Sequence, residues 1–228
     1  MSPRRRLAVL LAAAALVTGC TADTDSPEPP AESGESAPSV EPSDADLDLS
    51  AYPVPRADLC PALDEDAVAR ALGSPVADTA HYRNGEEFEV RPGQRDVSHE
   101  YGCVFEAADG TVARTWVFAR PVTVAEARTL VRRTRRGRDC AFPKSIGFGD
   151  PGVTSVCERR STGDDDRPAL RARLQGLFGD TWLSCEIEEP TGPREDTGGV
   201  GSDAGEDVVQ RADRWCTDVV TTVGSSDD

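Results

Sequence analysis

From Ala51 to the end of the chain, apolar residues recur with two spacings, and each change of spacing marks a change of element. The first helical stretch has Asp64 placed to cap it, Leu63 and Val68 spaced as a hydrophobic staple, and Gly73 directly after Leu72 as a stop. Alternation follows, with Val97, His99, Tyr101, Cys103 and Phe105 on one side and Ser98, Glu100, Gly102 and Glu106 on the other. Asp109-Gly110 then reads as the tight turn of a hairpin whose second arm is Thr111 to Arg120. A second helix opens at Thr123, where Glu126 completes a capping box. Val124, Ala127, Leu130 and Val131 form its buried stripe and Gly137 ends it. Strands are predicted at 153–159, 168–178 and 181–188, the last two joined by Gly179-Asp180. The final helix has the clearest period, in Val208, Val209, Ala212, Trp215, Cys216, Val219, Val220 and Val223. This order, with hairpins between strands, predicts an α+β domain: an antiparallel sheet of about five to six strands with helices packed mainly on one face.

The residues ahead of this domain follow another logic. Arg4, Arg5 and Arg6 precede an apolar run from Leu7 to Val17, too short for a stable spanning helix and typical of a secretory signal. Val17-Thr18-Gly19-Cys20 resembles the lipobox of bacterial lipoprotein signal peptides. The resemblance implies that residues 1–19 are removed, that Cys20 becomes the first residue and carries a diacylglyceryl group, and that acyl chains hold the protein on a membrane. At roughly 0.8 kcal/mol per buried methylene, two chains suffice without a transmembrane helix. The arginine triplet also resembles a twin-arginine export signal, and the sequence leaves the export route open. Between Cys20 and Ser50 stand nine carboxylates and five prolines, with no basic residue and no aromatic. Such a segment cannot bury enough apolar surface to offset chain entropy, so 20–50 is expected to be a disordered tether, with 51–228 as a single disulfide-tied domain.

Charge and cysteine count sharpen this picture. Loss of residues 1–19 removes three arginines and moves the formal charge from -16 to about -19. A field of that sign argues against nucleic acid as a partner. Seven cysteines is an odd number for an exported chain. Assigning Cys20 to lipid leaves Cys60, Cys103, Cys140, Cys157, Cys185 and Cys216, an even set for three disulfides. Fifteen connectivities are open in principle. The alternation of the strands places Cys103 and Cys185 on buried faces, and the period of the last helix places Cys216 on its buried stripe; the expected pairing is Cys60 with Cys103, Cys140 with Cys157, and Cys185 with Cys216, which would tie helix to sheet at each end. None forms a CxxC pair, and His81 and His99 stand apart from them, so no metal site and no cofactor is expected.

Candidate chemistry is sparse. Gly147-Phe-Gly-Asp-Pro-Gly152 spells GxGxxG, but Pro151 and the strand-like run after it deny it a helix N-terminus, and it reads as a loop. No GxSxG elbow is present. His99 alternates onto the core face as a structural histidine, and His81 is solvated. Asp164, Asp165 and Asp166 lack calcium-loop spacing and read as a hairpin loop. Two features suggest ligand contacts. Arg132, Arg133, Arg135, Arg136 and Arg138 crowd a helix C-terminus, where cations offset the macrodipole or meet an anionic wall polymer. Trp182 alternates with Ser184, Glu186 and Glu188 opposite the apparent core face, as an anchor for a ligand or under the cover of another element.

Cys60-Pro61-Ala62-Leu63 ahead of a helix ending Leu72-Gly73, followed by Gly102-Cys103-Val104-Phe105, is similar to actinobacterial secreted lipoproteins of uncharacterised function, and more distantly to kinase-linked extracellular sensor domains. Val104-Phe105 stands where the first family usually has a tryptophan close after the cysteine. The resemblance covers about residues 58–120 and transfers no catalytic residue. It implies a lipid-anchored protein on the outer face of the cytoplasmic membrane, and the absence of the ordinary motifs of catalysis leads to the expectation of a non-enzymatic binding or sensing module. A cell-wall polymer or an envelope protein is the candidate partner. The alternatives are a cell-envelope hydrolase using a carboxylate pair and an accessory subunit of an envelope complex.

Overall fold

The structure, a computed structural model, describes residues 49–144, 147–160, 168–191 and 200–225. The expected signal, Cys20, the tether as far as residue 48 and the acidic loop at 161–167 lie outside the described residues. Short 3-10 turns at Leu49–Ala51 and Cys60–Ala62 lead into α1 (Glu65–Leu72). Strands β1 (Val76–Tyr82), β2 (Glu87–Arg91), β3 (Gln94–Val97), β4 (Glu100–Ala107) and β5 (Val112–Phe118) follow. Next come α2 (Val124–Thr134), β6 (Cys140–Ala141), β7 (Gly152–Arg160), β8 (Pro168–Phe178), β9 (Thr181–Pro190) and α3 (Asp203–Gly224).

Seven strands form one antiparallel sheet in the order β1-β4-β5-β9-β8-β7-β6, and β2 pairs with β3 as a separate hairpin. The α+β class is as the spacing predicts. The larger strand count comes from β1, from the short β6, and from the β2–β3 hairpin.

The predicted caps form. The Asp64 side chain accepts from the Ala67 amide at 3.0 Å, and Gly73 closes α1 with a left-handed φ of 69°. Thr123 and Glu126 make the reciprocal capping box of α2. That helix ends at Thr134, short of Gly137, which is reached through turn bonds from Arg136 to Arg133 and from Gly137 to Thr134. Val124 departs from the expected stripe: it lies exposed in the first turn, while Ala127 is buried and Leu130 and Val131 pack beneath it.

α1 and α3 cover one face of the sheet. There Cys103, Phe105, Ala113, Val117, Leu174, Leu183, Cys185 and Ile187 meet the stripe of α3 from Val208 to Val223. Each fully buried valine or leucine contributes about 1.5–3 kcal/mol. Leu49 is 1% exposed and joins this core. α2 packs on the opposite face, over Leu177 and Trp182.

Cys60–Cys103 and Cys140–Cys157 are disulfides, the first tying the approach to α1 to β4 and the second bridging directly opposed residues of β6 and β7. The expected third bond is absent here. Cys185 and Cys216 are buried thiols in side-chain contact between β9 and α3, and Thr115 Oγ1 lies 3.5 Å from the Cys185 sulfur. Burial pushes the Cys216 thiol well up, with the Cys185 contact adding to it, so the close-packed core holds Cys216 protonated.

Candidate functional site

The face of the sheet turned away from α3 is polar over most of its area. Alternation on β5 sends Ala113, Thr115 and Val117 into the core and Arg114, Trp116 and Phe118 to this side. Register then sets their neighbours. Trp116 lies between Gly102 of β4 and Ser184 of β9, and Arg114 between Val104 and Glu186. Arg173 of β8 is opposite Glu186.

Gly102 is the key to the assembly. It also lies opposite Tyr82 of β1, and a Cβ added there would stand 2.2 Å from the Tyr82 ring. The missing side chain lets the phenol lie across β4. Its hydroxyl donates to Glu100 Oε1 at 3.0 Å and accepts from Arg114 Nη2 at 2.8 Å. The Arg114 guanidinium sits 5.5 Å from the Tyr82 ring centre and 4.6 Å from that of Trp116. Arg173 lies against the same indole at 5.0 Å and donates through Nε to Glu186 at 2.6 Å. From the core side, the Trp215 indole of α3 donates to the Arg114 carbonyl at 3.3 Å, which fixes β5 from behind.

The electrostatics follow from burial. Tyr82 is pushed up to about 12 by desolvation, which outweighs the lowering by Arg114 and is reinforced by Glu100, so the phenol stays a neutral donor. Burial opposes the charge on Arg114, but Tyr82, Glu186 and Glu100 more than compensate and raise its proton affinity. Arg171 on β8 is pulled down to about 10 by burial and by Arg173, with Glu186 offsetting part, and it remains cationic at neutral pH. Glu188 is raised by burial and by Glu186 beside it.

Over the Tyr82–Glu100–Arg114 end of this face stands the β2–β3 hairpin. Its neck is two backbone bonds, Gly85 to Ser98 at 2.9 Å and Ser98 to Glu86 at 2.8 Å, and its tip turns at Gly93, whose φ is 79°. Between hairpin and sheet lies a groove of about 730 Å³. Tyr82, Glu100, Arg114 and Phe118 form the floor, Phe88 and Val97 the hairpin wall, and Glu86, Glu87, His99 and Arg120 the rim. A volume in the range of roughly 300–1,000 Å³ is that of a ligand site.

Among known proteins, likeness is faint. No family model matches the chain, and no curated protein matches it. A solved structure from Bacteroides thetaiotaomicron VPI-5482 is similar over 59% of this chain, at 12% identity and a TM-score of 0.32. The chain spans 40% of that protein's length. At that distance the likeness bears on neither fold nor function.

The residues expected from sequence to touch a ligand fall elsewhere. Trp182 is 0% exposed beneath α2, packed with Val122, Ala127 and Leu177, so it is a core residue and no ligand anchor. Arg132, Arg133, Arg135 and Arg136 are exposed around the end of α2, as the macrodipole favours. Of these, Arg135 borders a second hollow of about 310 Å³ with Lys144 and Phe142, walled also by Gly147, Gly149 and Gly152. Gly149 and Gly152 serve packing, whereas a Cβ on Gly147 would meet nothing within 4 Å. A Cβ on Gly152 would lie 2.2 Å from the Phe148 carbonyl oxygen, and one on Gly176 of β8 2.1 Å from the same atom. The GxGxxG stretch is thus a loop seated on β8, as expected. His99 is a correction: it is exposed on the groove rim, because β4 begins only at Glu100 and the alternation does not reach back to it. His81 is exposed on β1, as expected.

Tyr82, Arg114 and Trp116 escaped the sequence reading. The one signal that could have found them is Gly102 in an otherwise bulky strand, since a strand glycine often marks a close approach by another group.

Proposed function

We infer that the protein is a non-enzymatic binding module held on the outer face of the cytoplasmic membrane through lipid on Cys20, and that its ligand seat is the groove under the β2–β3 hairpin. The observation that carries this reading is the combination of a preorganised floor with an unfilled apolar wall. Tyr82 bonds to both Glu100 and Arg114, and Glu100 pairs with Arg114, while Phe88 is 49% and Val97 37% exposed. Preorganised polar groups beside exposed apolar ones lower the ordering cost of binding. A phenol held up to about 12 serves as a donor and makes a poor base near neutrality.

Replacing Phe88 with the photo-crosslinking residue p-benzoylphenylalanine in producing cells tests the seat, with the same replacement of exposed Arg128 as control. An adduct formed at position 88 and not at 128 supports it; equal labelling at both, or none at 88, refutes it. Metabolic labelling with radioactive palmitate, lost in Cys20→Ala, tests the anchor.

A hydrolase reading draws on Glu186 and Glu188, two carboxylates on the same face of β9, with Glu188 raised by burial. Glu186 is already engaged by Arg173 and, at 3.9 Å, Arg171, which leaves it poorly placed to serve a second group. Hydrolysis of wall fragments that disappears in Glu188→Gln would replace the binding reading.

A further inference from the structure

Resting on the groove as the ligand seat, we propose that its occupant is an extended polypeptide segment in which apolar side chains alternate with basic ones, laid along a free edge of the β2–β3 hairpin. Three observations meet here. First, the ion pairs around the groove are Glu87 with Arg95, Glu100 with Arg114 and Glu126 with Arg120, which leaves the rim carboxylate of Glu86 without a counter-cation among the described residues. The surplus is negative, and the whole chain carries -16. An anionic ligand would meet repulsion both on approach and in place, whereas a basic one is steered in.

Second, Phe88 and Val97 are two of the four large apolar side chains exposed among the described residues, and both border the groove. The register sets them on opposite faces of the hairpin, Phe88 opposite Asp96 and Val97 opposite Glu87, so each offers its own apolar contact at the mouth of the concavity. Third, β2 and β3 pair only with each other, so the hairpin offers main-chain donors and acceptors along its outer edges. Over the five residues of β2 such an edge runs about 17 Å, enough for a strand to add to it. A small cationic amphiphile would use the first two features and leave the third idle.

The test uses purified full-length protein and fluorescein-labelled hexapeptides followed by fluorescence anisotropy: one alternating leucine with arginine, one alternating leucine with glutamate, and the arginine peptide methylated on alternate backbone nitrogens. The arginine peptide should bind, more weakly as salt rises, with the glutamate and methylated peptides each at least about tenfold weaker. Phe88→Ala and Val97→Ser, both at exposed positions, should each weaken the arginine peptide by about threefold to tenfold, and Glu86→Lys should weaken it while improving the glutamate peptide. Equal affinity for the two charge patterns, indifference to backbone methylation, or unchanged binding to Phe88→Ala would overturn the proposal. If no peptide binds while position 88 still crosslinks to something other than polypeptide, this inference falls and the groove reading stands.

Discussion

Gly102→Ala tests the packing that builds the groove floor. A Cβ at residue 102 would stand 2.2 Å from the Cζ and Oη atoms of Tyr82, and neither side yields easily. β4 is paired on both edges, to β1 and to β5, and the Tyr82 hydroxyl is bonded to both Glu100 and Arg114. Gly102 is not among the glycines with positive φ, so the backbone itself accepts alanine and the ring is what must move. Overpacking of this kind costs about 1–3 kcal/mol, and loss of the two hydrogen bonds to charged partners adds about 1–3 kcal/mol more. The expected loss is about 2–6 kcal/mol, read as a lower urea midpoint at unchanged slope. Ultraviolet titration gives a second readout. Tyr82 is held up to about 12, and the displaced phenol should titrate nearer its ordinary value of about 10. Because the folded value lies above the unfolded one, the wild-type protein binds more protons than its unfolded chain between those two values. Its stability should therefore be full below pH ~10 and fall as pH rises toward 12, and the variant should lose that extra fall. On a Tyr82→Ala background, Gly102→Ala should cost no more than about 0.5 kcal/mol, since the clash is gone. A variant as stable as wild type, or one whose cost persists without the ring, would refute the reasoning.

Other consequences follow from the core and the helices. Asp213 of α3 is pushed up to about 6 by burial, Arg214 offsetting only part. The folded state therefore holds a proton that the unfolded chain has already released between about pH 4 and 6, so the penalty is present at pH 7 and vanishes below about 4. Asp213→Asn should stabilise by about 1 kcal/mol at pH 7, after discounting for partial exposure, with no gain at pH 4; equal thermal midpoints at pH 7 would contradict this. Removing Cys60–Cys103, with a separation of 43 residues, should cost about 4 kcal/mol, and removing Cys140–Cys157, with 17, about 3 kcal/mol. A clear reversal of that order in urea melts would place the cost in packing and not in loop closure. Cys185 and Cys216 should resist iodoacetamide in the native protein and react in urea without reductant, read by peptide mapping; protection in urea would mean that they are bonded.

The legible parts of the sequence are those where one local rule decides. Caps at Asp64 and Thr123 depend on a few neighbouring residues, and the α3 stripe on a single buried face, so both were readable. β8 and β9 were bounded by Gly179-Asp180, whose glycine has a φ of 60°. Reading fails where tertiary context supplies a second rule. All seven residues from Thr181 to Ile187 are buried, because α3 covers one face of β9 while α2 and paired side chains close the other. Alternation presumes one open face, which is why Trp182 looked like a surface aromatic. β1 is a sheet edge with six of its seven residues exposed, so it carries no apolar rhythm. Arg114 and Trp116 alternate visibly on β5, yet their partners come from β1, β4, β8 and β9, and only the register brings them together.

The two faces of the sheet are held by different physics, and the difference bears on function. Toward α3, stability comes from apolar burial. On the other face Glu186 is 5% exposed between Arg173 and Arg171, an arrangement whose Coulomb gain roughly cancels its desolvation cost, so apolar residues of similar volume would serve stability as well. What the polar set supplies is position. Two guanidiniums hold the Trp116 ring, Tyr82 and Glu100 hold one of those guanidiniums, and Trp215 pins its backbone carbonyl from the core side. Much of the floor is thus held in place by contacts formed at folding, before a ligand arrives. The hairpin is the opposite case: it pairs only with itself, and every residue of β3 is exposed. Binding energy gained in the groove would then act mainly on the hairpin, by joining its wall to a floor that is already in place.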